Sequence, residues 1–232
     1  MTQQTIYFCD FDGTIALKDI GNELHKRFSN PQWRTPNRAY RAGRITSREC
    51  LWSQYEFFRA RREEIEAFVL THEIDSTFPE FVRWAQQQQC PIIILSDGLG
   101  FYIELLLKKY GIEGLPYFSN RAEFEGDRVR IHYPHFRADC SHQCQCGNCK
   151  PSHMEPYAEH RRVFIGDGIS DRYAAREAEV IYAKGRLCDY CREEQRKFIP
   201  FDCFHDVLES ERKSARQTAA AQQKQTGRRL RT

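Results

Sequence analysis

One pair of aspartates constrains this chain more than anything else in it. The stretch Thr5, Ile6, Tyr7, Phe8, Cys9, Asp10, Phe11, Asp12, Gly13, Thr14 reads as a short buried strand that ends in two carboxylates. Ile6, Tyr7 and Phe8 are β-branched or aromatic, as strands favour. Asp10 and Asp12 stand two residues apart, so on extended backbone both side chains point to the same side. Gly13 then lets the chain turn away. Two like charges at one strand end cost free energy unless a cation lies between them or one stays protonated. A hard divalent cation such as Mg2+, which takes carboxylate oxygens, is the obvious compensation. For an isolated D-x-D-G a solvated turn is the plainer reading, and the rest of the chain decides between them.

A continuous apolar run over residues 91–95 fits a second strand, buried on both faces of a parallel sheet. Ser96, Asp97 and Gly98 follow it and open a helix over 99–110, which Gly111 ends. Ligands of open α/β sheets bind beyond the carboxyl ends of strands, and a helix start offers free N–H groups to an anion. Ser96 with the N–H groups after it therefore suits a phosphate, whereas a helix N-cap is its bland reading. Residues 162–166 form another strand, with Asp167 at its end to complete a metal shell and Asp171 opening a helix. Asp171 either orients Lys150 or a metal-bound water, or caps its helix. Lys150 would be an ordinary surface lysine on composition alone, but its position just before a helix start, between Ser96 and Asp167, suits a cation that faces two aspartates and a phosphate dianion. Residues 180–183 read as a further strand.

Between the first two strands, residues 16–89 contain no convincing strand. Helices are expected over 47–69, with Leu51, Tyr55, Phe58, Ile65 and Phe68 at helical or near-helical spacing, and over 73–89, with Phe78, Phe81, Val82 and Ala85 inward. These helices are expected to overhang the carboxylates. Residues 122–132 alternate on both sides of Gly126-Asp127, a hairpin signal.

These residues in this order resemble the four motifs of the haloacid dehalogenase-like hydrolase superfamily: Asp10-x-Asp12-Gly13-Thr14, Ser96-Asp97-Gly98, Lys150, and Gly166-Asp167 through Asp171. The resemblance covers residues 5–185. It implies that Asp10 is a covalent nucleophile, that Asp12 is general acid and base, and that Ser96, Gly98 and Lys150 clamp the phosphoryl oxygens. It also implies Mg2+ held by Asp10, Asp167 and the main-chain carbonyl of Asp12. The helical insertion resembles the small cap of the phosphoserine phosphatase subgroup. Asp19 falls where those enzymes carry an acidic substrate contact.

Cys140, Cys144, Cys146 and Cys149 fall within ten positions just before Lys150. Four thiols suit a tetrahedral structural Zn2+ site. The spacing C-x3-C-x-C-x2-C is tight, so three of them with His142 or His135 is a variant, and a Cys-rich loop without metal is the other reading. The run Pro134-His135 followed by the cysteine cluster and Cys149-Lys150-Pro151-Ser152 resembles the methionine-salvage phosphatase family within the same superfamily. Cys188 and Cys191 either add to such a site or are buried thiols on a helix.

The expected architecture is α/β: a Rossmann-like parallel sheet with helices on both faces, plus a small helical cap inserted after the first strand. The core spans 1–15 and 90–208, the cap 16–89, and the hairpin with its Cys-rich loop 121–150. Residues 209–232 are expected to be a basic tail, disordered or a fraying helix. From 212 onward the chain carries seven cations and no acid, and no aromatic residue is interleaved with them, which disfavours nucleic acid as a partner. No apolar run reaches the length of a membrane span, and no basic-then-apolar leader is present. A cytoplasmic enzyme acting on a small phosphorylated metabolite is therefore expected. A phosphotransferase with the same site and a non-catalytic zinc-containing binding protein on the same fold are the alternatives.

Overall fold

The computed structural model describes residues 3–140 and 145–229. Among them seven strands form one sheet in the order β4-β3-β2-β1-β5-β6-β7. These are β1 (Thr5–Cys9), β2 (Ile92–Leu99), β3 (Tyr117–Glu125), β4 (Arg128–His132), β5 (Arg161–Gly166), β6 (Val180–Ala183) and β7 (Ile199–Pro200). All neighbours run parallel except the β3–β4 hairpin, which closes at Gly126 with φ +64°. The chain leaves central β1 for β2 and β3 on one side, then returns to β5 and β6 on the other. The carboxyl end of β1 is thus the point where the order reverses, the place such sheets leave a crevice.

Side-chain alternation along β1 divides the core. Ile6 and Phe8 face one cluster with Leu95, Phe164 and Leu187, while Tyr7 and Cys9 face the other with Ile94, Val163 and Phe81. The first face is covered by α7 (Lys150–Met154), α8 (Arg172–Glu177) and α9 (Gly185–Glu193), and the second by α5 (Phe78–Gln87), α6 (Gly100–Lys109) and α10 (Phe204–Arg229). Cys188 and Cys191 are buried on α9 in the first cluster, which agrees with their reading as core thiols. The α/β expectation with helices on both faces holds.

Between β1 and β2 lie α1 (Ile20–Phe28), a 3-10 turn (Pro31–Trp33), α2 (Arg34–Arg41), α3 (Ser47–Tyr55), α4 (Arg62–Val69) and α5. Two expectations are corrected here. The helix expected over 47–69 is broken. Phe58 is fully buried against Phe28, His25 and Tyr55. The N–H groups of Arg59 and Ala60 donate instead to the carbonyls of Phe28 and of Asp127 in the hairpin turn. The helix α5 also does not overhang the carboxylates. Phe81 stands edge-on to Tyr7 of β1 at 5.1 Å and Phe78 packs on Phe204 of α10 at 4.7 Å, so α5 covers the sheet.

The disordered reading of the tail is corrected as well, since its first turns are a packed helix. Helix α10 continues to Arg229, and Glu211 is buried against the sheet. Its carboxylate accepts from Arg161 at 2.8 and 2.9 Å, from the Tyr7 hydroxyl at 2.7 Å and from the Tyr182 hydroxyl at 2.8 Å. Among the described residues no helix is long and apolar enough to cross a membrane.

Candidate active site

The three central strands deliver their following residues to one spot. Asp10 lies directly after β1, Ser96 within the carboxyl end of β2, and Asp167 directly after β5. Lys150 opens α7 and is 2% exposed, a charge that burial would expel unless it were paired. It is paired twice: its Nζ donates to Asp10 Oδ1 at 2.6 Å and to Asp171 Oδ1 at 2.7 Å. Asp171 Oδ2 accepts from the N–H groups of Asp167 and Gly168 at 3.1 and 2.9 Å. The sequence left Asp171 between orienting Lys150 and capping a helix; it is seated against the lysine.

Carboxylate oxygens of Asp10, Asp167 and Asp171 all lie within 4.8 Å of one another, the one group of potential metal ligands of this kind among the described residues. Thr14 Oγ1 donates to Asp167 Oδ1 at 3.1 Å. Gly13 sits at φ +81°, and a Cβ there would come within 2.6 Å of Asp167 Oδ2. The turn after Asp12 thus needs glycine both for its backbone and for its closeness to the carboxylate.

Asp12 is held at both oxygens. Its Oδ1 accepts from the Ile20 N–H at 2.8 Å, and its Oδ2 accepts from the Tyr102 hydroxyl at 2.7 Å, with Ser96 Oγ at 3.4 Å. Ser96 Oγ in turn accepts from the Gly98 N–H at 2.9 Å instead of capping α6, whose N-cap is Leu99. A Cβ at Gly98 would overlap the Tyr102 hydroxyl and lie 2.6 Å from Asp12 Oδ2, so only glycine fits there.

The electrostatics follow from burial and crowding. Burial raises Asp10 well above the usual carboxylate range, Asp171 adds to the rise, and Lys150 opposes it. Asp12 is pushed up to about 7, first by burial and then by Asp19, against the hydrogen bonds from Tyr102 and Ile20. Burial and Asp171 raise Asp167 to about 6, and burial raises Asp97 to about 6. Burial pulls Lys150 down, but Asp10 and Asp171 outweigh it and hold the ammonium well above the ordinary lysine value. The site therefore carries more negative charge than its own lysine neutralises.

From these carboxylates a cavity of about 280 Å3 extends under α1, α2 and α3. Asp19 lines it, as does Asp97, and Asp19 also caps α1 by accepting from the Asn22 N–H at 2.8 Å. His25 lines it too. Its ring packs on Trp33, Tyr55 and Phe58, and its buried Nε2 has no hydrogen-bond partner.

Of the cysteines considered for Zn2+, Cys140 and Cys149 approach to 3.5 Å between sulfurs. Cys144 and His142 lie outside the described residues. His135 stands edge-on to Phe118 and His153. What anchors this loop is Asn148, a residue the sequence did not single out. Its buried amide donates to the carbonyls of Ser96 and Phe118 at 2.9 and 2.8 Å, and its oxygen meets His153 Nε2 at 2.7 Å. Lys150 is thereby tied to the end of β2. Tyr102 was also missed. Its signal is faint: it stands four residues after Gly98, at the start of a helix whose side chains lean back over the preceding turn.

The chain resembles known proteins in sequence and in fold. A family model for haloacid dehalogenase-like hydrolases matches residues 7–176. The 2-hydroxy-3-keto-5-methylthiopentenyl-1-phosphate phosphatase of Lysinibacillus sphaericus (strain C3-41) is 33% identical over 214 residues, covering 88% of this chain and 92% of the relative. The protein of that name from Geobacillus kaustophilus (strain HTA426) is 33% identical over 216 residues, covering 90% and 96%. Among solved structures, a phospho-aspartyl intermediate analogue of phosphoserine phosphatase superposes with a TM-score of 0.70 at 13% identity, over 90% of this chain and 99% of that one. The chain belongs to the haloacid dehalogenase-like hydrolase family and is a phosphoric monoester hydrolase within it.

Proposed function

We propose that the chain hydrolyses a small phosphomonoester through an aspartyl-phosphate on Asp10, with Mg2+ as its cofactor. The observation that carries this reading is the position of Lys150, which bridges Asp10 and Asp171 at 2.6 and 2.7 Å in the crevice where the strand order reverses. The donor set fits a hard cation. Three clustered carboxylates face one lysine, and Mg2+ prefers such oxygens. Asp10, Asp167 and the main-chain carbonyl of Asp12 would hold the ion. Asp171, with both oxygens engaged, supports them and the lysine. When bound, Mg2+ neutralises charge on the phosphoryl oxygens.

The chain's own residues carry the two steps. A carboxylate oxygen of Asp10 attacks phosphorus, and the bond to the leaving alkoxide breaks as Asp12 gives that oxygen its proton. Asp12 then takes a proton from water, whose oxygen attacks phosphorus and breaks the bond to Asp10, releasing inorganic phosphate. A carboxyl group pushed up to about 7 suits a group that must give and take a proton near neutral pH. Ser96, the main chain at Asp97 and Gly98, and Lys150 position the phosphoryl oxygens, and such positioning dominates phosphoryl transfer. Helices α1 to α4 act as the cap that holds the leaving group, with Asp19 among its contacts.

The assay that tests this is phosphate release from a panel of phosphomonoesters, with Mg2+ and with chelator. The relatives make 2-hydroxy-3-keto-5-methylthiopentenyl-1-phosphate the first compound to include. Release that requires Mg2+ is expected, and added alcohols leave the product as inorganic phosphate. Release unaffected by chelator contradicts the cofactor assignment, and phosphate passed on to an alcohol makes the enzyme a transferase.

A further inference from the structure

The cap carries a charge run that the mechanism does not use. From Leu24 to Arg48 there are seven lysines and arginines and no aspartate or glutamate. Some of these cations are accounted for locally. Lys26 pairs with Glu23, and Arg34 and Arg48 lie over the rings of Trp33 and Phe136. Arg38, Arg41 and Arg44 form no close ion pair among the described residues, although Arg41 lies near enough to Asp19 to pull its carboxyl group down against burial.

Two of these three line cavities at the active site. Arg41 lines the cavity that holds Asp10 and Asp12. It also lines a second cavity of about 350 Å3, together with Arg44 and, from the opposite side, Arg172 of α8. The two cavities share Tyr40, Arg41, Ser47, Asp97, Ile169 and Ser170, so they adjoin one another along the seam between α2–α3 and the segment after β5. The acids of the second cavity are Glu49 and Asp97. Glu49 is turned to its own helix start, where it accepts from the Thr46 N–H and hydroxyl at 2.8 and 3.0 Å. A substrate phosphate at Asp10 would thus have three guanidinium groups beyond it, in a space its own phosphoryl group does not fill.

We propose that Arg41, Arg44 and Arg172 bind a second anionic group, a carboxylate or a phosphate, carried by the leaving group of the substrate. The inference rests on the phosphatase reading and adds to it the charge class of the substrate. Guanidinium groups recognise both anions by paired N–H donors, and the adjoining cavity gives such a group a place of its own. A general field that draws in any phosphate dianion is the competing account. It would act on all phosphomonoesters alike and weaken with salt.

The two accounts separate on three series of alkyl phosphates of increasing chain length, ending in a hydroxyl, a carboxylate or a second phosphate. Steady-state kinetics with Mg2+ are measured for the wild type, Arg44→Gln, Arg44→Lys, Arg41→Gln and Arg172→Gln. The expected result is a wild-type kcat/KM roughly tenfold or more higher for one anionic series than for the hydroxyl series, chiefly through KM. The better of the two anionic series identifies the group. The Gln variants are expected to collapse that ratio toward one, and Arg44→Lys to keep part of it. Equal kcat/KM for all three series, or Gln variants that lower all three equally, overturns the proposal while leaving the phosphatase reading intact. Hydrolysis of none of the three series, nor of any other phosphomonoester, overturns both.

Discussion

Asp12 illustrates how one residue's role is set by its neighbours. With its oxygens bonded to the Ile20 N–H and the Tyr102 hydroxyl, it is fixed beside Asp10 and not free to rotate into solvent. Asp12→Asn is expected to slow phosphate release by roughly two to four orders of magnitude for alkyl phosphates, whose alkoxide needs a proton, and far less for aryl phosphates. Tyr102→Phe is expected to show the same leaving-group bias at smaller size, measured as the ratio of rates on an alkyl and an aryl phosphate. An equal loss on both would make Tyr102 a packing residue only. His25 gives a second prediction at this scale. Burial holds its imidazole down from 6.5 to about 3, so the folded chain keeps it neutral while the unfolded chain protonates it. Stability from this group is fully present above 6.5 and is lost as pH falls toward 3, at a slope of at most about 1.4 kcal/mol per pH unit. His25→Phe, which keeps a ring among Trp33, Tyr55 and Phe58, is expected to flatten that slope in denaturant titrations. An unchanged slope would mean the ring is solvated.

At the level of elements, β1, β2, β5, β6 and the β3–β4 hairpin were legible, whereas β7, the start of β3 and two helical boundaries were not. The runs ending at Asp10, Ser96 and Asp167 are apolar and β-branched because β1, β2 and β5 are buried on both faces, and that signal is local. The break between α3 and α4 is not local, since it is made by Phe58 burying among α1 residues and by an N–H bonding to the hairpin turn. The reach of α10 was hidden for the same reason. Glu211 looks like any surface acid in a basic, Gln-rich stretch, and only the fold brings Arg161, Tyr7 and Tyr182 to it. Burial raises this carboxyl group, but the Arg161 hydrogen bonds outweigh that and hold it below the usual range. Breaking a buried pair at one partner costs about 3–5 kcal/mol, which for a chain of this size is roughly ten degrees in Tm. Glu211→Gln and truncation after Leu208 are both expected to lower Tm by about that much. Truncation after Gln217 is expected to leave it nearly unchanged. Equal melting of the Leu208 truncation and the full chain would show that the α10 contact adds no stability.

For the whole molecule, the topology explains why distant sequence positions meet. Asp10, Ser96, Lys150 and Asp167 are separated by up to 157 positions, as Asp10 and Asp167 show, yet a parallel sheet that reverses order at β1 delivers them to one crevice. Their order along the chain made this part of the site readable, because each follows an apolar run or opens a helix. The residues that fine-tune it, Tyr102 and Asn148, were not readable. Each is an ordinary residue until β2, α6 and the loop before α7 are packed together. Cysteine spacing alone does not say whether packing brings sulfurs together, and among the described residues the Asn148 amide ties the loop before α7 to β2 and β3. The central claim is that Asp10 becomes phosphorylated during turnover. Acid-quenched reactions with a phosphomonoester and Mg2+, digested and read by mass spectrometry, test it most directly. The account predicts a phosphoryl group on Asp10 that hydroxylamine removes, and in the Asp10→Asn variant no such adduct and no phosphate release. Phosphate release by Asp10→Asn at the wild-type rate, or a phosphoryl group trapped on another residue, would contradict it.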